Sequence, residues 1–457
     1  MTYQNEQNKL LENYLNRYEK TSDSLELIIS SECDQRCSYC YLVKHGHLTY
    51  PGDVNNKDNI LFNMPILLQY FYDNDYHFST YDLFSGEFFN LSYWEDILTI
   101  LYNFFKTNNL THKYITIPTN MSFIADEDKT KAVEKWIDKF EQDISSKMVL
   151  SISIDGPQEL EEIARPNLYC DKTSEDYYEK LFLFMKKYSF CAHPMVSKHF
   201  LKNYKKNYDF WMDMIDKYNI IIAKDNGTPV KAIPMFLEVR DPDQWDEESL
   251  QLYKEFLWYI TTNDLERIHN GDVKELITHM VDDFSIEMLD AGEYCRVQPY
   301  IAGIPCQGNQ LSCSIQGGPA VRLGDLALVP CHRTCYPHLN YGHFVVENDQ
   351  ITGVQGLNPM LAYKIKTFNP MRSMLKCSDC PLNIICGKGC LGSQYEHTRE
   401  LFASQDAICE MFKTKYQTIH EILAYYNGYE IIENTIEIPY ARREFLKYVR
   451  SAIEAMG

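Results

Sequence analysis

Three cysteines crowd into eight positions near the front of the chain: Cys33, Cys37 and Cys40, spaced C-x3-C-x2-C in the stretch "SSECDQRCSYCYL". Thiolates are soft ligands that suit zinc and iron–sulfur clusters. A structural zinc site usually draws its cysteines in pairs, whereas a trio leaves one coordination position to be filled by something else. The other cysteines are unevenly placed. Only Cys170 and Cys191 fall between residues 41 and 294, and ten of the 15 lie from Cys295 to Cys409. The N-terminal stretch is polar and lacks the apolar run of a signal peptide, which implies a cytoplasmic, reducing setting. There, metal or redox chemistry is a better reading of these thiols than a disulfide framework.

The elements that must position the front loop come next. "LELIIS" (25–30) reads as a buried strand, and so do stretches at 81–87, 114–120, 149–155, 190–197 and 231–239. Amphipathic stretches lie between them, the clearest carrying Trp94, Ile97, Leu98, Leu101 and Phe105 at helical spacing. Strand and helix alternating at this pitch argue an α/β fold with a parallel sheet. Six units are short of a full eight-fold barrel, so the expectation is a partial (β/α)6 TIM-like barrel. Chemistry collects at the C-terminal strand ends of such barrels. The cysteine trio follows the first strand. Ser85, Gly86 and Glu87 end the second, Thr119 and Asn120 the third, and "SIDGP" from Ser153 the fourth. Each alone is explained by a helix cap or a turn; together they frame a site.

The loop, with aromatic Tyr39 before the third cysteine, resembles the signature of the radical S-adenosylmethionine enzymes. Three thiolates would hold three corners of a four-iron cluster, and the open iron would chelate S-adenosylmethionine. The resemblance implies cofactor contacts at Tyr39, Ser85, Gly86, Glu87, Asn120, Ser151, Ser153, Asp155 and Arg165. Ser85 stands where the family's "GGE" motif has glycine. For Arg165 a surface salt bridge is an equal alternative.

The rear segment "CSDCPLNIICGKGC", followed by Cys409, is similar to the SPASM extension of radical enzymes that modify peptides and proteins. The resemblance implies one auxiliary four-iron cluster on Cys306, Cys313, Cys331 and Cys390, and a second on Cys377, Cys380, Cys386 and Cys409. Cys170 and Cys191 are left as small apolar residues, while Cys295 and Cys335 stay open as substitute ligands. Where the family pattern has glycine before Cys331 this chain has Leu326, which puts the turn geometry in question. In the anaerobic sulfatase-maturating enzymes an aspartate follows that cysteine. Here it is His332, near His338 and His343, which argues against sulfatase maturation. A closed zinc site is the non-redox alternative for the rear cysteines.

The 457 residues carry a formal charge of −20. A chain this acidic repels phosphate backbones and anionic lipid, so neither nucleic acid nor a membrane is the expected partner. The expected domains are an N-terminal helix (1–24), a radical barrel (25–290), a SPASM domain (291–410) and a C-terminal helical extension (411–457). Neither end is long enough for a separate leader-binding domain. The expected function is a peptide maturase that forms a thioether or carbon–carbon crosslink and draws electrons from a flavodoxin or ferredoxin. A carbohydrate dehydrogenase and a non-enzymatic iron–sulfur or zinc scaffold are the alternatives.

Overall fold

The computed structural model describes, in the main, residues 24–167, 174–223 apart from 189, 229–231, 245–270, 319–358, 379–384 and 390–425 apart from 402 and 404, with short pieces near 360, 377 and 450–456. The chain divides into two compact units. The first gathers residues 1–154, 158–193 and 314–366; the second gathers 155–157, 194–313 and 367–457.

The first unit is built on one sheet. Strands β1 (Ser24–Ser30), β2 (Thr80–Ser85), β3 (Tyr114–Thr119), β4 (Lys147–Ile152) and β5 (Phe190–Ala192) lie side by side and parallel. The helices of this unit are α1 (Tyr41–Thr49), α2 (Lys57–Asp73), α3 (Trp94–Thr107), α4 (Glu127–Ile144), α5 (Gln158–Ala164) and α6 (Glu175–Lys187). Leu25, Leu27 and Ile29 alternate with Glu26, Ile28 and Ser30 along β1, so one face is wholly aliphatic. Leu83, Ile115, Ile117, Met148 and Leu150 extend that buried face across the sheet. Burial of each such side chain stabilises the fold by about 1.5–3 kcal/mol. Helix α4 opens on Asp126, whose carboxylate caps the N–H of Lys129.

Five of the six expected strands are therefore present in parallel order. The sixth, 231–239, lies outside the described residues except for Lys231, and so does the expected helix 1–24 except for Ser24, which begins β1. Four further strands join the other edge of β1: β8 (Ala320–Arg322), β9 (Ala327–Val329), β10 (Gly342–Glu347) and β11 (Gln350–Gln355). They give a nine-stranded open sheet, ordered β11-β10-β9-β8-β1-β2-β3-β4-β5. β8 runs parallel to β1, with Glu26 opposite Ala320, and the rest form an antiparallel meander.

The turn between β8 and β9 keeps a left-handed residue at Leu326, φ 53°, without the glycine. Gly324 serves a different need, since a Cβ there would stand 1.8 Å from the carbonyl oxygen of Val54. Arg322, 1% exposed, makes a two-point ion pair with Asp325 at 2.9 and 2.7 Å and donates to the carbonyl of Cys335 at 2.9 Å.

In the second unit a hairpin pairs β6 (Ile221–Ala223) with β7 (Pro229–Lys231). Helices α7 (Lys198–Lys202), α8 (Tyr204–Tyr218), α9 (Glu247–Asn270), α10 (Leu391–Thr398) and α11 (Asp406–Tyr425) make up its described remainder. α9 lies along α11, with Trp258 edge-on to Tyr425 and Lys254 bonded to Glu421 at 2.7 Å. Among the described residues, no helix is long and apolar enough to cross a membrane.

Candidate active site

The cysteine loop leaves the C-terminal end of β1 and is tied on two sides. Gly86 N–H bonds Ser30 O at 2.8 Å and Glu87 N–H bonds Glu32 O at 2.7 Å. Opposite, Arg36 N–H reaches Pro166 O and Ser38 N–H reaches Ala164 O. Gly86 is obligatory here, because a Cβ would meet Glu32 O at 2.2 Å and Ser31 O at 2.6 Å. Cys40 caps α1, with the N–H of Lys44 bonding its carbonyl.

Glu87 is fully buried. One carboxylate oxygen accepts from Thr119 Oγ1 at 2.8 Å, and the other from Asn120 N–H at 2.5 Å. Burial pushes its pKa up to about 7 against the pull of these donors. Asn120 Nδ2 then reaches Asp34 at 2.6 Å and lies 3.9 Å from Cys33 Sγ. The ends of the first three strands thus close around Cys33. A cleft of about 550 Å³, lined by Glu32, Cys33, Asp34, Ser122 and Phe123 among others, opens beside it.

The remaining expected contacts fall as follows. Arg165, 6% exposed, holds its guanidinium 5.3 Å over the ring of Tyr39 and donates to His193 O at 3.2 Å, so it is not a surface salt bridge. Ser151 lies on the same face of β4 as Val149, and Ser153 N–H bonds Thr119 O at 2.8 Å. Ser85 Oγ is buried without a hydrogen-bond partner among the described residues. Asp155, in the second unit, accepts from Met195 N–H at 2.7 Å.

The fit of a cluster to the front loop follows from the donor set. Burial, and then the neighbouring Glu87 carboxylate, push the Cys33 thiol well above its ordinary range. A bound cation would favour the thiolate form at this position. Among the described residues, no three His, Cys, Asp or Glu side chains converge on a single metal ion. A four-iron cluster asks for a different arrangement, in which each thiolate takes its own iron.

Of the rear cysteines, Cys295, Cys306, Cys313 and Cys386 lie outside the described residues. Cys380 N–H bonds Cys377 O at 3.2 Å, and Lys413 faces both Cys380 and Cys409. Cys331 and Cys390 are partly exposed. Cys335 is wholly buried in an apolar cluster with Ile28, Tyr50, Val54 and Val329. Its thiol donates to the carbonyls of His332 and Cys331, at 3.3 and 3.5 Å.

Sequence reasoning named Thr119 and His332 but missed Asp34 and Gln35, and missed that His332 joins Glu26 and Asp82 in one polar group. A lone glutamate inside "LELIIS" was the available signal for the last.

No protein-family model matches the chain, and no curated protein matches it in sequence. Solved structures do match in fold. Native anSMEcpe with bound AdoMet shares 15% identity over 89% of this chain and 99% of its own, with a TM-score of 0.55. The same protein with AdoMet and the Cp18Cys peptide gives 16%, 89%, 99% and 0.53. Streptococcus suis SuiB bound to precursor peptide SuiA gives 14%, 88%, 79% and 0.50. The chain has the fold of these proteins, in agreement with the resemblance that its cysteine motifs carry.

Proposed function

We propose that this chain is a radical S-adenosylmethionine enzyme that modifies a peptide. The observation that carries the reading is the C-x3-C-x2-C loop at the C-terminal end of β1, bound to Glu87 and Asn120 at the ends of β2 and β3. The likeness in fold to proteins solved with AdoMet and with peptides supports it. When bound, a four-iron cluster supplies the electron that cleaves S-adenosylmethionine to a 5′-deoxyadenosyl radical, which takes hydrogen from the substrate.

The chain's own residues hold and orient. Cys33, Cys37 and Cys40 hold the cluster. Glu87, buried with a pKa near 7, receives the amino group of S-adenosylmethionine, whose positive charge returns the carboxyl to its ionised form. Gly86 lets the backbone approach closely. Arg165 on Tyr39, with Asn120, Ser85, Ser151, Ser153 and Asp155, contacts the carboxylate and nucleoside. The rear cysteines hold two auxiliary clusters, Cys306, Cys313, Cys331 and Cys390 for one and Cys377, Cys380, Cys386 and Cys409 for the other. The substrate is a peptide crosslinked through a thioether or a carbon–carbon bond, and the reductant is a flavodoxin or ferredoxin.

The test is anaerobic. The purified protein should contain iron and sulfide for three clusters, and with reductant it should release 5′-deoxyadenosine. Replacing Cys33, Cys37 and Cys40 together by Ala should abolish that release and spare the rear iron. Wild-type cleavage by the triple variant rejects the reading, and zinc in the rear sites rejects the auxiliary clusters. A mass shift on a precursor peptide identifies the substrate class.

A further inference from the structure

Gln35 lies inside the cysteine loop and is 2% exposed. Its main-chain N–H donates to Cys33 Sγ at 3.4 Å. Its side-chain Oε1 accepts from the Cys37 thiol at 3.6 Å. Its Nε2 is buried and meets no hydrogen-bond acceptor among the described residues. The residue is held in place from behind, because Gln35 pairs with Asn167 in an antiparallel bridge and Arg36 N–H bonds Pro166 O. A buried amide with an idle donor is costly and needs a reason.

We propose that Gln35 donates hydrogen bonds to the sulfurs of both Cys33 and Cys37 and thereby sets the reduction potential of the cluster they hold. The inference rests on the reading of this loop as an iron–sulfur site. A thiol has a proton to give, so Cys37 takes Oε1 as its acceptor. An iron-bound thiolate has no proton, and its lone pairs accept instead. The two ends of a glutamine amide are nearly equal in shape, and a half-turn of the group exchanges Oε1 for Nε2. The idle donor then faces Cys37 Sγ. The main-chain N–H at Cys33 is already in place.

Two N–H donors from one residue offset part of the negative charge that reduction adds. They favour the reduced form and raise the potential. The carboxylates of Asp34 and Glu87, both close to Cys33, act in the opposite direction. Gln35 is a positioning residue, since it touches ligands and not substrate.

The test uses the reconstituted holoprotein in reductive titrations followed by EPR, reading the signal that changes when S-adenosylmethionine is added. Gln35→Leu and Gln35→Met both remove the side-chain donor while differing in shape. Each should shift the one-electron equilibrium against reduction by about tenfold, about 59 mV more negative. An unchanged potential in either loaded variant overturns the proposal, and so do shifts of opposite sign, which would follow side-chain shape. If one variant takes up no cluster, the other decides. A wild-type protein that shows no cluster signal responding to S-adenosylmethionine fails the reading of the loop itself and takes the proposal with it.

Discussion

His332 and Glu26 stand 306 positions apart in the chain and meet at 3.0 Å, Nδ1 to Oε1. The main-chain N–H of His332 donates to the same oxygen. The imidazole lies flat on Phe84, with ring centroids 3.9 Å apart and 14° between the planes. Glu26 and Asp82 are lateral partners on β1 and β2. Three polar groups thus meet on one face of the sheet.

That arrangement makes stability depend on pH. Burial, and next the Glu26 carboxylate, raise the pKa of Asp82 from 3.8 to about 6. A carboxyl whose folded value is raised binds protons more tightly in the folded state. Its contribution is full below about 3.8 and is lost as pH rises through about 6. The size is on the order of 3 kcal/mol. Asp82→Asn should remove this loss, so urea melts of the variant should vary less between acid and neutral pH. Parallel curves for the two proteins would defeat the assignment.

Asp325 works in the other direction. Burial alone would raise its pKa, but hydrogen bonds from His343 and Arg322 outweigh that and hold it well below the usual carboxylate range. Its stabilisation is present above about 3.8 and is lost as pH falls below that value. Asp325→Asn leaves Arg322 buried and without its counter-charge, at a cost of about 3–5 kcal/mol at neutral pH. Thermal melts that match wild type at neutral pH would contradict this.

Gly86→Ala should damage the loop without unfolding the protein. The added carbon would sit 2.2 Å from Glu32 O, so the strand end and the cysteine loop must part. Release of 5′-deoxyadenosine should fall by about 100-fold or more, since small misplacements cost that much. Circular dichroism should remain that of wild type, and a fully active variant would show that the contact is dispensable.

Cys335, buried among apolar side chains, and the partly exposed Cys331, proposed as a ligand, can be told apart by substitution. Cys335→Ala should lower stability by about 1–3 kcal/mol, through the lost packing and hydrogen bonds, and leave iron content unchanged. Cys331→Ala should lose about one cluster's iron. Iron loss in the Cys335 variant would make that residue a ligand.

The barrel strands were legible because β1–β4 alternate an aliphatic face with a mixed one, and the thiols of the front loop declare themselves by spacing. β8 and β9 were not legible. Each is three residues long, too short for any period, and β8 pairs with a strand almost 300 positions earlier. Leu326 shows why a missing glycine misleads. Its side chain is 3% exposed, and burial of a leucine, worth about 1.5–3 kcal/mol, offsets the roughly 1–2 kcal/mol cost of a left-handed backbone. Asp34 and Gln35 were hidden for another reason. They sit between two cysteines, and what they do depends on Asn120 and on the sulfur atoms, which only the folded loop brings near.

The pairing of β8 with β1 also sets a timetable for biosynthesis. On a ribosome adding 5–20 residues per second, β1 emerges roughly 15–60 s before the segment that completes its second edge. During that interval its aliphatic residues and unpaired peptide groups form an open strand edge, the feature that seeds aggregation. A chain cut ahead of residue 319 would keep that edge permanently. The front loop should therefore reach its folded form only in a chain that carries residues 319–355, even though all three of its cysteines lie within the first 40.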